Sequence, residues 1–310
     1  MNIVEHLTLG GSRKKSTVDS YERRLRVLHD GSPIDNLAFL YDYDVILEKI
    51  QKYKLTTQRG FIISIVSTLR DIPVMKSMYE KYSKLLESYN QELKQNNNSK
   101  SDTQKDNWIS QEDVYVVYSK VYDDVEPLLF KKSQIIEKDF ARITDLIVLS
   151  LFVLNPPRRI LDYLVMVIVK KLPKEINPEL NYLEISKQLF HFNNYKTSGT
   201  YHTQTIAISD RLFTLLKLYI KIHPIKLSAS NIIVPLLCNY NGDAFTTGNQ
   251  ITRILNKIFL KYAGKKISIN LLRSIFLTNK FKPQMDELDT TAHDMGTSSN
   301  MIQTIYVKND

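Results

Sequence analysis

ISINLLRSIFLT at positions 267–278, followed at 292–308 by AHDMGTSSNMIQTIYVK, is the stretch on which the reading of this chain turns. Leu271, Leu272, Ile275 and Phe276 recur at helical spacing and make an apolar face, yet Arg273 lies within the same run. Thr297 and Ser298 follow a Met-Gly turn and can cap a last helix that ends at Tyr306. A guanidinium set in an apolar helix and a tyrosine behind a capped turn gain meaning only from partners supplied earlier in the chain.

Working outward, helices are expected over 248–262 and 210–222. The first turns Ile251, Ile254, Leu255, Ile258 and Phe259 inward and leaves Arg253, Lys257 and Lys261 outside. Before them, 182–185, 189–197 and 204–208 alternate as β-strands do and predict a small sheet, whose last connection, SGTYHT, reads as a turn containing Gly199. Lys196 ends the middle strand beside that turn, where a long side chain can reach outward; alone it would be an ordinary surface lysine. His191 and His202 read as hairpin side chains, because no acidic or histidine cluster at ligand spacing accompanies them.

A helix over 139–154 contains ITDLIVLSLFVL, apolar nearly all round and therefore buried. Pro156 and Pro157 stop it, and Arg158 and Arg159 stand between it and a second buried helix, ILDYLVMVIV. Because an unpaired buried charge is costly, one of the two arginines requires a carboxylate such as Asp162, or an external anion. Further upstream, Ser110 can cap a helix through Val114, Val117, Tyr118 and Val121.

NNNSKSDTQKDN at 96–107 has no apolar residue and reads as a flexible connector. N-terminal to it, four helices suggest a small bundle. Ser16 or Thr17 can cap the first, which aligns Val18, Tyr21, Leu25 and Leu28; others are expected over 44–53, from Thr57 to the Pro73 boundary, and over 74–95. In the last, Met75, Tyr79, Tyr82, Leu85, Leu86 and Tyr89 read as core packing rather than a base-stacking surface. Arg23 and Arg24 fall on other faces of the first helix, and with Arg13, Lys14 and Lys15 they make a basic surface open to solvent or to phosphate. The expected class is mainly α with a small β-sheet (α+β), with a helical domain over 1–95, a linker over 96–107 and a larger domain over 108–310.

Composition sets the outer bounds. The 310 residues suffice for two cores, and 42 Lys and Arg against 33 Asp and Glu leave a formal charge of +9 that favours a polyanionic partner. The single cysteine, Cys238, excludes an internal disulfide and a cysteine-rich zinc site, and fits a reducing compartment. The N-terminus has no long apolar core of a secretory signal, and no apolar run reaches the ~20 residues of a membrane span.

In the order of its motifs the chain resembles the tyrosine recombinases, the phage-integrase-like family, and in texture its viral and mobile-element members. The resemblance rests on Arg159 with an acid three residues on at Asp162, Lys196 by a β-turn, NLLR at 270–273, and MGTSSNMIQTIY at 295–306. It covers roughly 139–306, implies a catalytic domain in 108–310, and likens the N-terminal bundle to the family's core-binding domain. It further implies cleavage and rejoining of duplex DNA through a 3′-phosphotyrosine, with a homotetramer in the recombination synapse and no membrane partner. Neither a metal nor another cofactor is needed. The place of action is intracellular, wherever the target DNA lies: host nucleus, cytoplasm or viral factory. The family often docks a C-terminal segment on a neighbouring protomer; only 307–310 follow Tyr306, so such a contact is expected to be short or to come from elsewhere.

Physical chemistry gives those residue types their roles. Attack on a phosphodiester builds charge on the non-bridging oxygens, and two guanidiniums, here Arg159 and Arg273, bind such oxygens bidentately without losing their own charge. A cationic site also favours the phenolate of Tyr306 as nucleophile. Lys196 is the candidate general acid for the departing 5′-oxygen. Asn270 stands where the family has histidine or lysine, and Thr297 where it has histidine or tryptophan. Both can hydrogen-bond phosphate, but neither is a base near neutral pH. His293, ahead of the Met-Gly turn, is a weak substitute. Three alternatives therefore stay open: a degenerate DNA-binding protein of the same fold, a type IB topoisomerase, and an all-α interaction protein without a DNA role.

Overall fold

The computed structural model describes residues 15–96, 100–131, 134–228 and 233–308, so the candidate contacts Arg13 and Lys14 lie outside the described residues. The chain divides into two compact units between Ser101 and Asp102.

The first unit is a helical bundle of α1 (Lys15–Leu28), α2 (Tyr43–Gln51), α3 (Leu55–Leu69) and α4 (Lys76–Asn96). Phe61, Ile62, Ile65 and Leu69 of α3 form its middle, joined by Val18, Leu25 and Leu28 of α1, Ile46 and Ile50 of α2, and Tyr82 of α4. The Tyr82 hydroxyl donates to the Leu40 carbonyl at 3.0 Å, so this aromatic stripe is core with its polar tip satisfied. Helix α1 already includes Ser16 and Thr17, which are therefore not its caps. Gly60 lets Arg24 lie against α3: a Cβ there would stand 3.2 Å from the guanidinium carbon.

The second unit opens with α5 (Asp102–Asn107), α6 (Gln111–Leu129) and α7 (Glu137–Val153). The expected connector is thus helical in its second half. Lys265 Nζ donates to the Asp106 carbonyl at 2.6 Å, and the Lys266 amide to Asn107 Oδ1 at 2.8 Å, contacts that polar composition does not forecast. Ser110 and Asp113 close a capping box on α6. Helix α7 is buried almost all round and forms the centre of the core with α6.

After the proline pair come α8 (Ile160–Leu164) and β1 (Met166–Val169), where a second buried helix was expected. A continuous apolar run reads the same for a buried helix and a buried parallel strand, and the β-branched Val165, Val167, Ile168 and Val169 favour the strand. β2 (Asn181–Glu184), β3 (Leu189–Phe192), α9 (Ser198–Tyr201), β4 (Gln204–Ala207), α10 (Asp210–Ile222) and β5 (Val234–Pro235) follow. The sheet runs β4-β3-β2-β1-β5, with β1 parallel to β2 and the other pairs antiparallel. The class is α+β.

β3 ends at Phe192, five residues earlier than its alternation suggests, because buried Asn181 draws the chain out of the sheet. Its Oδ1 accepts the amides of Asn193 and Asn194, each at 2.8 Å. Nor does Gly199 make the turn: the connection is the short helix α9, and the positive φ falls on His202, at 53°. α11 (Gly248–Ala263), α12 (Ile269–Asp294) and α13 (Ser299–Met301) lead to a last π-type turn, Ile302–Tyr306. Ser298 caps α13, accepting from the Met301 amide at 3.3 Å.

Candidate anion-binding cleft

Pro156 and Pro157 end α7 and deliver Arg158 and Arg159 in extended backbone, with Arg159 directly before the first turn of α8. That single turn brings Asp162 back beneath Arg158. Arg158 Nε donates to Asp162 Oδ2 at 2.7 Å and its Nη1 to Gln204 Oε1 at 3.0 Å, while its guanidinium carbon stands 3.8 Å from the centre of the Phe192 ring. Arg158 is held on both sides, although it too lines the adjoining cleft. The acid of the arginine-x-x-acid spacing is thus taken by the arginine one position earlier.

Arg159 is left otherwise. Among the described residues its guanidinium has no hydrogen-bond or ion-pair partner, and it lines a cleft of about 360 Å³ together with Arg273. Arg273 comes from the first turns of α12, which Ile269, Leu271, Leu272 and Ile275 anchor in the core. Burial and the nearby charges of Arg159 and Arg158 pull its guanidinium below the usual value, with Asp162 opposing. Residues 114 positions apart are therefore close enough to feel one another. Being half-buried and still cationic, the pair favours an anion between them.

The rest of the cleft is aromatic and polar. Tyr163, Phe190 and Phe192 make its floor, with Tyr163 set edge-on to both phenylalanines. Thr197 and Tyr201 contribute from the 193–203 connection and Gln204 from β4. Asp162 is buried; burial raises its carboxyl against the pull of Arg158, and its Oδ1 has no hydrogen-bond partner among the described residues.

The other expected site residues are not among those that line the cleft. Lys196 is exposed in the turn after β3, next to Tyr195 and Thr197, which do line it. Asn270 is exposed on the first turn of α12. Thr297 is half-buried, its amide bonded to the Ala292 carbonyl at 2.9 Å, and His293 is exposed. Tyr306 is 59% exposed on the final turn. From Leu277 to Thr291 no residue of α12 is buried, and burial returns only at Ala292 and, after the helix, at Ile302.

The expected DNA contacts also divide. Lys15, Arg23 and Arg253 are exposed, whereas Arg24 packs on α3 and Lys257 is paired with Asp145. His191 sits between Glu184, at 3.0 Å, and Thr205, at 3.1 Å, as a satisfied sheet side chain. Sequence reasoning overlooked Tyr201 and Gln204; the available signal was their place in the connection whose lysine had drawn notice. Among the described residues no group of three His, Cys, Asp or Glu is placed to hold a metal ion, and no helix is long and apolar enough to cross a membrane. No family model matches the chain, and no curated protein matches it.

Proposed function

We propose that this protein binds duplex DNA and cleaves and rejoins it at a phosphodiester held by Arg159 and Arg273, through a 3′-phosphotyrosine at Tyr306, in the manner of the tyrosine recombinases it resembles. The observation that carries the reading is the convergence on one cleft of two guanidiniums, distant in sequence, that have no hydrogen-bond or ion-pair partner among the described residues. A phosphodiester meets both through its non-bridging oxygens, and the charge that grows there during attack is what such a pair stabilises. The exposed arginines and the charge of +9 suit a polyanion. In this reading Tyr306 and Lys196 reach the phosphate only when DNA is bound, or serve the cleft of a second copy.

A second reading, a DNA-binding protein of this architecture that does not cut, is favoured by Tyr306, Lys196, Asn270 and Thr297 being absent from the cleft lining. Covalent trapping on a nicked suicide duplex separates the two. Cleavage predicts a protease-sensitive, slow-migrating band on a denaturing gel for the native chain and none for Tyr306→Phe, with DNA binding nearly unchanged. Absence of the band alongside confirmed binding would move the assignment to the non-cutting reading.

A further inference from the structure

We propose that the cleft holds a nucleoside beside the phosphate, its base unpaired from the duplex and stacked on Tyr201. The proposal rests on the phosphate reading of Arg159 and Arg273, and adds a second subsite to it.

Tyr201 is 63% exposed, yet lines the same cleft as the two arginines. Large exposed aromatics bordering cationic clefts are the common means of gripping bases without regard to sequence. Its presentation is fixed by the backbone. The next residue, His202, adopts φ 53° and ψ −157°, a region that L side chains avoid. Two bonds hold it there: the hydroxyl of buried Tyr195 donates to the His202 carbonyl at 2.7 Å, and Thr203 Oγ1 donates to Asn193 Oδ1 at 3.0 Å. Strain kept in place by such bonds at the C-terminal end of a four-residue helix gives Tyr201 a set position at the cleft.

Two further features call for more than a phosphate. The volume of about 360 Å³ falls in the range of small-molecule clefts. Gln204, whose carbonyl is taken by Arg158, keeps its amide donors for a base edge.

The test is a ligand-observed NMR titration of the full chain with deoxyadenosine 3′-monophosphate and, separately, with inorganic phosphate. The nucleotide is expected to bind about 5- to 150-fold more tightly, the range of one base stacked on an aromatic. Tyr201→Ala is expected to bring the nucleotide down to the affinity of phosphate, Tyr201→Phe to keep the difference, and Arg159→Ala to weaken both ligands. Equal binding of the two by the native chain, or an undiminished preference in Tyr201→Ala, overturns the nucleoside subsite while leaving the phosphate reading intact, provided Arg159→Ala still weakens phosphate. Should Arg159→Ala change neither ligand, the phosphate reading falls and takes this proposal with it.

Discussion

Arg158 and Arg159 are identical in chemistry and adjacent in sequence, and their surroundings give them opposite tasks. Arg158 is held by Asp162, Gln204 and the Phe192 ring, whereas Arg159 lines the cleft with no partner for its guanidinium among the described residues. The strain at His202 has a measurable consequence. Glycine adopts that conformation freely, so His202→Gly is expected to stabilise the protein by about 1 kcal/mol, the strain relieved less the entropy of the added glycine. A lower rather than higher melting temperature would show that the backbone there is not strained. His223 sets an acid limit. Burial pulls its pKa below the ordinary 6.5, outweighing two carbonyls that favour the charged ring, Ile225 at 2.9 Å from Nδ1 and Pro235 at 3.1 Å from Nε2. The unfolded chain therefore binds this proton more readily. The His223 contribution is complete above pH 6.5 and is lost as pH falls from there through the folded pKa. Denaturant titrations across this window are expected to show the slope in the native chain and a shallower one in His223→Gln.

At the scale of elements, α12 has two characters. Its first turns are core, and its remainder, up to Ala292, is solvated, with Leu277, Phe281 and Met285 exposed at a spacing of four. Pro283 lies inside this solvated part, where it deprives the helix of an amide and crowds the preceding turn. Because Pro283 is exposed, Pro283→Ala sacrifices no packing and is expected to firm the helix by up to about 3 kcal/mol. Greater amide protection over 277–291 in hydrogen exchange would register this; unchanged protection would mean that the proline is accommodated without cost. At the other end of the unit, Gly248 opens α11 against α8. A Cβ there would come within 2.9 Å of Ile160 Cγ2, so the glycine is what allows the helix to seat beside the cleft-forming turn.

Taken whole, the protein carries separate cores in its two units, and an excess of positive charge. That excess is not uniformly available, since Lys257 is neutralised by Asp145 and Arg26 by Glu22. Salt dependence of DNA affinity reads the difference. For a DNA-bound chain, the slope of log affinity against log salt is expected to fall by about one on Arg159→Ala or Arg273→Ala, and by clearly less on Lys257→Ala. Fluorescence anisotropy over a salt series measures all three, and equal slopes would place the phosphate contacts elsewhere.

Periodicity alone determined the bundle helices, the buried α7, the ends of α10 and the strands β2 and β4, because burial of an apolar face follows a fixed repeat that the residues display directly. The proline pair likewise announced where α7 stops and two arginines are exposed to each other's field. Three outcomes needed the folded molecule. β1 emerged from a run whose apolar pattern also suits a buried helix, because its β-branched residues met neighbouring strands that receive its backbone hydrogen bonds. Asn181 cut β3 short through a contact twelve residues away. Which arginine keeps Asp162, and which tyrosines border the cleft, followed from α8, β4 and α12 meeting at its lining, and distances across a core are set by the surfaces that meet there rather than by the order of residues.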